Sequence, residues 1–504
     1  MNALLRRGLC PTLAAPMQTG DGLLTRLNPV ASGLSPKALI ALSEAAQRHG
    51  NGITEVTARG SLQIRGLTAK SAAQLAAEVD ALGIEVRGGV PVETGPLAGL
   101  DPEEIADPRP LAARIRAGIA GAGLEARLGP KVSVVVDGGG RSGLDEVAGD
   151  VRLTRCGVAW ELAVAGDAAT ATHLGEFEQD TACDAALAIL SEIAALGREG
   201  RARNLSPEIL REIIVKVRRS TAPPSVLPDI SPTRGEIALS SRILPIANAA
   251  GDAASSKRPI SPPVGEMSGR TEGGAVERKH RNHYVAPAGI LALTNGQFAL
   301  PAALPFGHLH AAQLIAFITR AESLGATEIR LAPRRTLILL CPSESSANAI
   351  RDAARQATLI IDPGDPRSRM AACPGAPACA SGHIPARAIA ADVAPALPSG
   401  FDLHVSGCAK RCARPGHAGL TLLGLDDGAG LVVEAWGKQP IASVAKKDTV
   451  AAFRRVAALI AAERQSREGE TACLNRLGAS RLANAFVGSE ADAFVTKEPV
   501  ETRR

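Results

Sequence analysis

Residues 372–413 read ACPGAPACASGHIPARAIAADVAPALPSGFDLHVSGCAKRCA and carry four of the nine cysteines of the 504-residue chain. They form two tight pairs: five residues separate Cys373 from Cys379, and three separate Cys408 from Cys412. Pro374, Gly375 and Pro377 make the first pair a turn rather than a helix or strand interior. The second pair follows the strand-like run Phe401–Val405 and opens at Ser406–Gly407, where the backbone must bend sharply. One helix and one strand's worth of chain lies between them, so two loops can bring four thiolates to one point. Such a set holds a structural zinc or an iron–sulfur cluster. Zinc pairs sit about two to four residues apart around one ion. A [4Fe–4S] cube takes four thiolates at more varied spacing, and five-then-three fits it better.

Composition narrows the rest. Hydrophobic residues are 45%, charged residues 21% and aromatics 2%, so the core must be built from Ala, Leu, Val and Ile. A net charge of +5 is mild for this length, and no Lys/Arg stripe with interleaved aromatics marks a nucleic-acid binder. No apolar run reaches the roughly 18 residues of a membrane span. The opening MNALLRRGLCPTLAAPM lacks the long apolar segment of a signal peptide. Free thiols in this number point to a reducing, cytoplasmic setting.

Upstream, Leu23–Leu27 reads as a strand, and Ser35 with Pro36 opens a helix through about Arg48. Ile53–Thr57 and Ser61–Ile64 are strands about the turn Ala58–Arg59–Gly60, and a helix follows over Ala69–Ala81. The same plan recurs from Gly289 to Leu339, with Thr54-Glu55-Val56 matching Thr327-Glu328-Ile329 and Arg59 matching Arg334. A second module follows each copy. Lys131–Val136 with its glycine-rich turn corresponds to Phe401–Val405 with GCAKRC, and each continues into two strands and a closing helix. The plan is A-B-A′-B′, a pseudo-twofold chain in which only B′ holds the two cysteine pairs. Between the halves, residues 219–279 are rich in Pro, Ser, Gly and basic residues and read as a linker. The stretch after Gln465 looks weakly structured, and Cys473 within it has no evident role.

GGGRSG at 138–143 has the glycines of a dinucleotide loop, but LDEVAGDVRLTR after it is too short for a crossover helix. Electrons from NAD(P)H would therefore arrive through a separate donor. Arg59, Arg65, Arg155, Arg334 and Arg335 gather at strand ends of both halves and suit carboxylate arms. His308, His310, His383, His404 and His417 are possible iron ligands or proton donors, and none stands out by pattern alone.

CPGAPAC followed by GCAKRC resembles the cluster signature of the nitrite/sulfite reductase superfamily. The resemblance implies an α+β fold: duplicated ferredoxin-like half-domains plus two mixed α/β modules with pseudo-twofold symmetry. It places half-domains at 10–90 and 280–362, a cluster-free module at 100–218, a cluster-bearing module at 363–464 and a tail at 465–504. It also implies that Cys373, Cys379, Cys408 and Cys412 ligate a [4Fe–4S] cluster, with Cys412 facing a central cavity. Within the superfamily, RRGLCPTLAAPMQTGDGLLTRL and TARGSLQIRG are similar to the precorrin-3B synthase family. The reductases carry Lys-x-Lys on the first strand of this module, where the corresponding strand here, Pro130-Lys131-Val132-Ser133, has only Lys131, which suits a large substrate with peripheral charge better than a small oxyanion.

That family resemblance implies an iron–sulfur monooxygenase of aerobic cobalamin biosynthesis acting on precorrin-3A with O2 and an external NAD(P)H-linked donor. Arg59, Arg65, Lys131, Arg155, Arg334 and Arg335 would meet the tetrapyrrole. A mononuclear non-haem iron is the further cofactor implied. The alternatives are a siroheme-dependent sulfite or nitrite reductase and a non-catalytic tetrapyrrole or electron carrier.

Overall fold

The computed structural model describes residues 11–30, 33–220, 289–413 and 419–488. Module A comprises β1 (Met17–Thr19), β2 (Gly22–Leu27), α1 (Pro36–His49), β3 (Ile53–Val56), β4 (Leu62–Leu67) and α2 (Ala69–Ala81). The start of α1 is set by Ser35, whose hydroxyl accepts from the Ala38 N–H at 3.2 Å, with Pro36 at the first helical position. Thr68 and Ser71 cap α2 reciprocally. The strands lie in the antiparallel order β1-β2-β4-β3.

Module B comprises β5 (Val92–Thr94), α3 (Arg109–Gly121), the single turn α4 (Leu124–Arg127), β6 (Val134–Asp137), β7 (Gly149–Cys156), β8 (Ala159–Gly166), β9 (Thr172–Phe177), α5 (Gln179–Ala195) and α6 (Pro207–Ser220). Its strands lie in chain order, with β5, β6 and β7 parallel and the last two antiparallel. The glycine-rich loop after β6 runs into β7 with no helix between.

Module A′ contains β10 (Leu291–Ala292), β11 (Phe298–Ala303), β12 (His308–His310), α7 (Ala311–Ser323), β13 (Glu328–Ala332), β14 (Thr336–Cys341) and α8 (Glu344–Gln356). The order β10-β11-β14-β13 repeats that of A. Each half lends the segment before its first helix to the other: β12 pairs antiparallel with β3, and Leu34 bridges to Ile329 of β13. α1 and α7 pack together, and one apolar core runs through both halves, from Leu39 and Leu42 to Leu314 and Phe317.

Module B′ contains β15 (Met370–Ala372), α9 (Ala386–Val393), β16 (Leu403–Ser406), β17 (Leu420–Gly424), β18 (Gly428–Val433), β19 (Ala442–Ala445), α10 (Thr449–Glu463) and α11 (Glu470–Val487). Its sheet repeats that of B: three parallel strands, then two antiparallel ones. The duplicated α+β architecture expected from the sequence is the one observed.

Two readings are corrected. The stretch after Gln465 is not weakly structured, because α11 buries Cys473, Leu474, Leu477, Leu482 and Phe486 in the B′ core. Gly478, with φ 75°, kinks the element without strain, and burial of the large apolar side chains on either side contributes about 1.5–3 kcal/mol each. Lys131 is not on a strand. It lies in a turn closed by the Val132 N–H on the Gly129 carbonyl at 3.0 Å, and β6 begins three residues later. The expected linker from 221 onward, His417 and the tail beyond 488 lie outside the described residues.

Candidate functional site

The cysteines converge because β15 and β16 are parallel neighbours and each ends in a loop on the same edge of the B′ sheet. Cys373 directly follows β15, and Gly407–Cys408 follow β16. The Gly407 N–H donates to Cys373 Sγ at 3.1 Å, and the His383 N–H donates to the Gly407 carbonyl at 2.7 Å, so the two loops are tied by backbone. A Cβ on Gly407 would sit 2.8 Å from Gly375 Cα and 3.4 Å from Cys373 Sγ, so glycine is what lets them close up.

Cys408 is buried, Cys373 and Cys379 are half-buried, and Cys412 keeps an exposed edge. Burial pushes the Cys412 thiol up. The charges of Cys408, Cys373 and Cys379 push it the same way and Lys410 opposes them. Among the described residues no three His, Cys, Asp or Glu side chains gather closely enough for a single metal ion. The donor set is four thiols on two loops tied to each other by backbone, with the Gly407 N–H aimed at Cys373 Sγ. An all-thiolate set suits an iron–sulfur cluster, and the five-residue gap of the first pair exceeds the about two to four residues usual between zinc cysteines.

Both ferredoxin-like halves reach this site. From A, Arg65 on β4 donates to the carbonyl of Ala378 at 2.7 Å, one residue before Cys379. The same guanidinium holds Asp21 through Nε at 3.0 Å and Nη2 at 2.9 Å. The backbone of Gly20 lies flat on the first cysteine loop, where a Cβ would come within 2.6 Å of the Ala380 nitrogen. From A′, Arg335 donates to the carbonyl of Ala413 at 2.7 Å, one residue after Cys412.

A polar row crosses the sheet of A beside this contact. His308 faces Glu55, Glu55 faces Gln63, and Gln63 faces Arg26 in register, so all four share one face. The opposite face carries Leu27, Val56, Leu62 and Ile64 of the core. Arg26 Nε donates to Gln63 Oε1 at 2.8 Å, and Gln63 donates to Glu55. Arg387 of α9 closes an ion pair on Glu55 Oε1 at 2.6 Å. Burial holds the His308 imidazole down to about 4, with the Arg387 charge adding and Glu55 opposing. Among the described residues its Nδ1 has no hydrogen-bond partner.

The remaining expected residues divide into two groups. The β3–β4 and β13–β14 hairpin tips meet, with the Arg334 N–H on the Ala58 carbonyl at 2.9 Å. Arg59 then reaches into B, donating to the Ala148 carbonyl at 2.7 Å and to Ser133 Oγ at 3.2 Å. Arg334 donates to Glu146 at 2.6 Å. Arg59, Arg334 and Arg335 are thus gathered at one junction, whereas Arg155 lies over the Trp160 ring at 5.5 Å and Lys131 is exposed in its turn. A crevice of about 70 Å³ between Arg141, Glu146, Arg334 and Thr336 is of water scale. Among the histidines, His310 is exposed, His383 pairs with Asp426 at 3.1 Å, and His404 is buried in β16.

Asp21, Glu55, Gln63 and Arg387 were missed by sequence reading. The matched Thr-Glu-Val and Thr-Glu-Ile were the available signal, since Glu328 is likewise ion-paired, to Arg330 at 2.7 Å.

Residues 15–82 match the nitrite/sulfite reductase ferredoxin-like half domain. The chain is 37% identical over 495 residues to precorrin-3B synthase from Sinorhizobium sp, covering 96% of this chain and 95% of that protein. The chain belongs to the precorrin-3B synthase family. Within that family it is an oxidoreductase-type enzyme. Its fold is also similar to the structure of the Mycobacterium tuberculosis NirA protein, with TM-score 0.62 and 18% identity over 91% of this chain and 84% of that one. For a precorrin-3B synthase family member, the matched half domain is A, and A′ repeats its strand order.

Proposed function

We propose that the protein is a monooxygenase that hydroxylates the tetrapyrrole precorrin-3A at C20 with O2, an acetate arm closing a γ-lactone to give precorrin-3B. Precorrin-3A, O2, two electrons and two protons yield the oxygenated product and one water. The observation that carries this reading is the 37% likeness across nearly the whole chain, joined to a four-thiol site that fits the expected cofactor.

Cys373, Cys379, Cys408 and Cys412 are the residues that would hold a [4Fe–4S] cluster, which supplies electrons one at a time from an external NAD(P)H-linked donor. The chain's own work lies around it. Arg65 and Arg335 hold the two cysteine loops in place. Arg59, Arg334 and Arg335 are the arginines gathered where carboxylate arms of the macrocycle would be recognised. His308, held neutral by burial beside Glu55 and Arg387, is the candidate proton-handling group. A mononuclear non-haem iron and a cytoplasmic setting belong to the same reading. No ligand set for that iron is gathered among the described residues, and no helix among them is long and apolar enough to cross a membrane.

The test is turnover of precorrin-3A by anaerobically purified protein given reductant and labelled O2. One labelled oxygen in a lactone product is expected. Its absence, with iron, sulfide and reductant confirmed, overturns the reading. Bound siroheme with sulfite or nitrite reduction would select a reductase, and tetrapyrrole binding without oxygen uptake a carrier.

A further inference from the structure

We propose that the Arg65–Asp21 pair sets the reduction potential of the cluster that Cys379 helps to hold, Arg65 raising it and Asp21 lowering it. This rests on the cysteine assignment above. Arg65 is 5% exposed, and its guanidinium ends on the Ala378 carbonyl, next to Cys379. The Cys379 charge is among the groups that favour the protonated guanidinium, so the two charges act on each other. A reduced cluster carries one more negative charge than an oxidised one. A buried cation beside a ligand sulfur therefore favours reduction, and a carboxylate at the same place opposes it.

The pair cannot drift. Asp21 also accepts from Thr19 Oγ at 2.7 Å and Asn51 Nδ2 at 3.0 Å, and the Asn51 N–H donates to the Arg65 carbonyl at 2.9 Å. Gly20, beside Asp21, is packed on the backbone of Pro377, Cys379 and Ala380. The β1–β2 turn with Asp21 and strand β4 with Arg65 thus form one frame that presents a negative and a positive group to the cysteine loop. Arg65 is a positioning residue acting through Cys379, and sits at a fixed offset from it.

The two members predict opposite signs. In reconstituted full-length protein, Arg65→Gln removes the cation and leaves Asp21 uncompensated, so the midpoint potential moves negative. Asp21→Asn keeps the bond to Ala378 and moves it positive. Arg65→Lys, which keeps the charge but not the fork, falls between Gln and wild type. The readout is an EPR-monitored redox titration alongside iron and acid-labile sulfide content. Variants with full iron content that titrate with the wild type overturn the proposal, as do shifts of the same sign. If Arg65→Gln loses its cluster, Asp21→Asn decides alone. Wild-type protein that takes up no iron and sulfide sinks the cysteine assignment and this proposal with it. A wild-type cluster with unmoved potentials sinks this proposal only.

Discussion

The Arg335 guanidinium donates a 2.7 Å hydrogen bond to the carbonyl oxygen of Ala413, the residue directly after Cys412. Arg335 stands at the tip of the β13–β14 hairpin with a φ of 65°, and the tip touches the matching hairpin of the first half. A side chain from one copy of the duplication therefore pins a cysteine loop carried by a different module. Removing it with Arg335→Ala should cost about 1.5–3 kcal/mol, the range for a hydrogen bond from a charged donor. The expected outcome is faster loss of iron to a chelator, measured against wild type, with the secondary-structure spectrum unchanged. Equal rates would show that the tie is idle.

Gly20 and Gly121 make a contrasting pair. A Cβ on Gly20 would lie 2.6 Å from the Ala380 nitrogen, 2.8 Å from the Pro377 carbonyl oxygen and 2.9 Å from the Cys379 carbonyl carbon, all backbone atoms. Gly20→Ala must move the loop or the hairpin, a cost of about 1–3 kcal/mol, and cluster incorporation should fall. Gly121 ends α3 with nothing within 4 Å of its Cβ position. Gly121→Ala should leave incorporation alone and stabilise the protein by up to about 1 kcal/mol. Thermal melts and iron content of the two variants check both.

Cys379→Ser should abolish the brown chromophore and turnover together. Cys473→Ser should keep both, because Cys473 is buried on α11 and belongs to neither cysteine loop. It should instead lower stability by about 1–3 kcal/mol through burial of a more polar hydroxyl in the α11 core, beside the Arg476 guanidinium that lies 3.9 Å from the sulfur. Retention of the chromophore in Cys379→Ser would remove that residue from the ligand set.

Glu104 has its carboxyl pushed up to about 7, chiefly by burial, with Asp107, Asp101 and Asp137 adding and the Gly99 N–H opposing. The folded protein then binds this proton more tightly than the unfolded chain does. Stability falls as pH rises from about 4.5 through 7. Screening on the exposed side of Glu104 leaves about 1 kcal/mol of that swing. Glu104→Gln should flatten it, seen as a smaller difference between denaturant midpoints at acid and slightly alkaline pH.

His308 works with the opposite sign. Its folded value of about 4 lies below the ordinary 6.5, so acid protonates the unfolded chain first and stability is lost as pH falls through that window. His308→Gln should make the acid limb shallower. In the wild type, imidazole resonances of His308 should hold their neutral shifts down to about pH 5. A midpoint near 6.5 would contradict the burial that the structure shows.

Much of the site was legible in order along the chain. The cysteine pairs, the helix cap at Ser35 and the matched Thr-Glu strands are local patterns, and local sterics decide turns, caps and strand faces. α11 escaped because Gly478 and a polar surface break its apolar stripe, which becomes visible only against α10. Arg65 read as one of six basic residues for a substrate, since nothing near it in sequence names Asp21 or Ala378, 44 and 313 residues away.

By itself, then, the sequence determined the duplication, the two cysteine turns and the family they belong to, because spacing and periodicity are properties of neighbours. The tertiary structure alone decided which arginines hold the cysteine loops, which meet at the hairpin tips, and that Glu55 and Arg387 form a buried pair. Those pairings depend on how four modules close on one another, and a side chain's charge does not specify its distant partner.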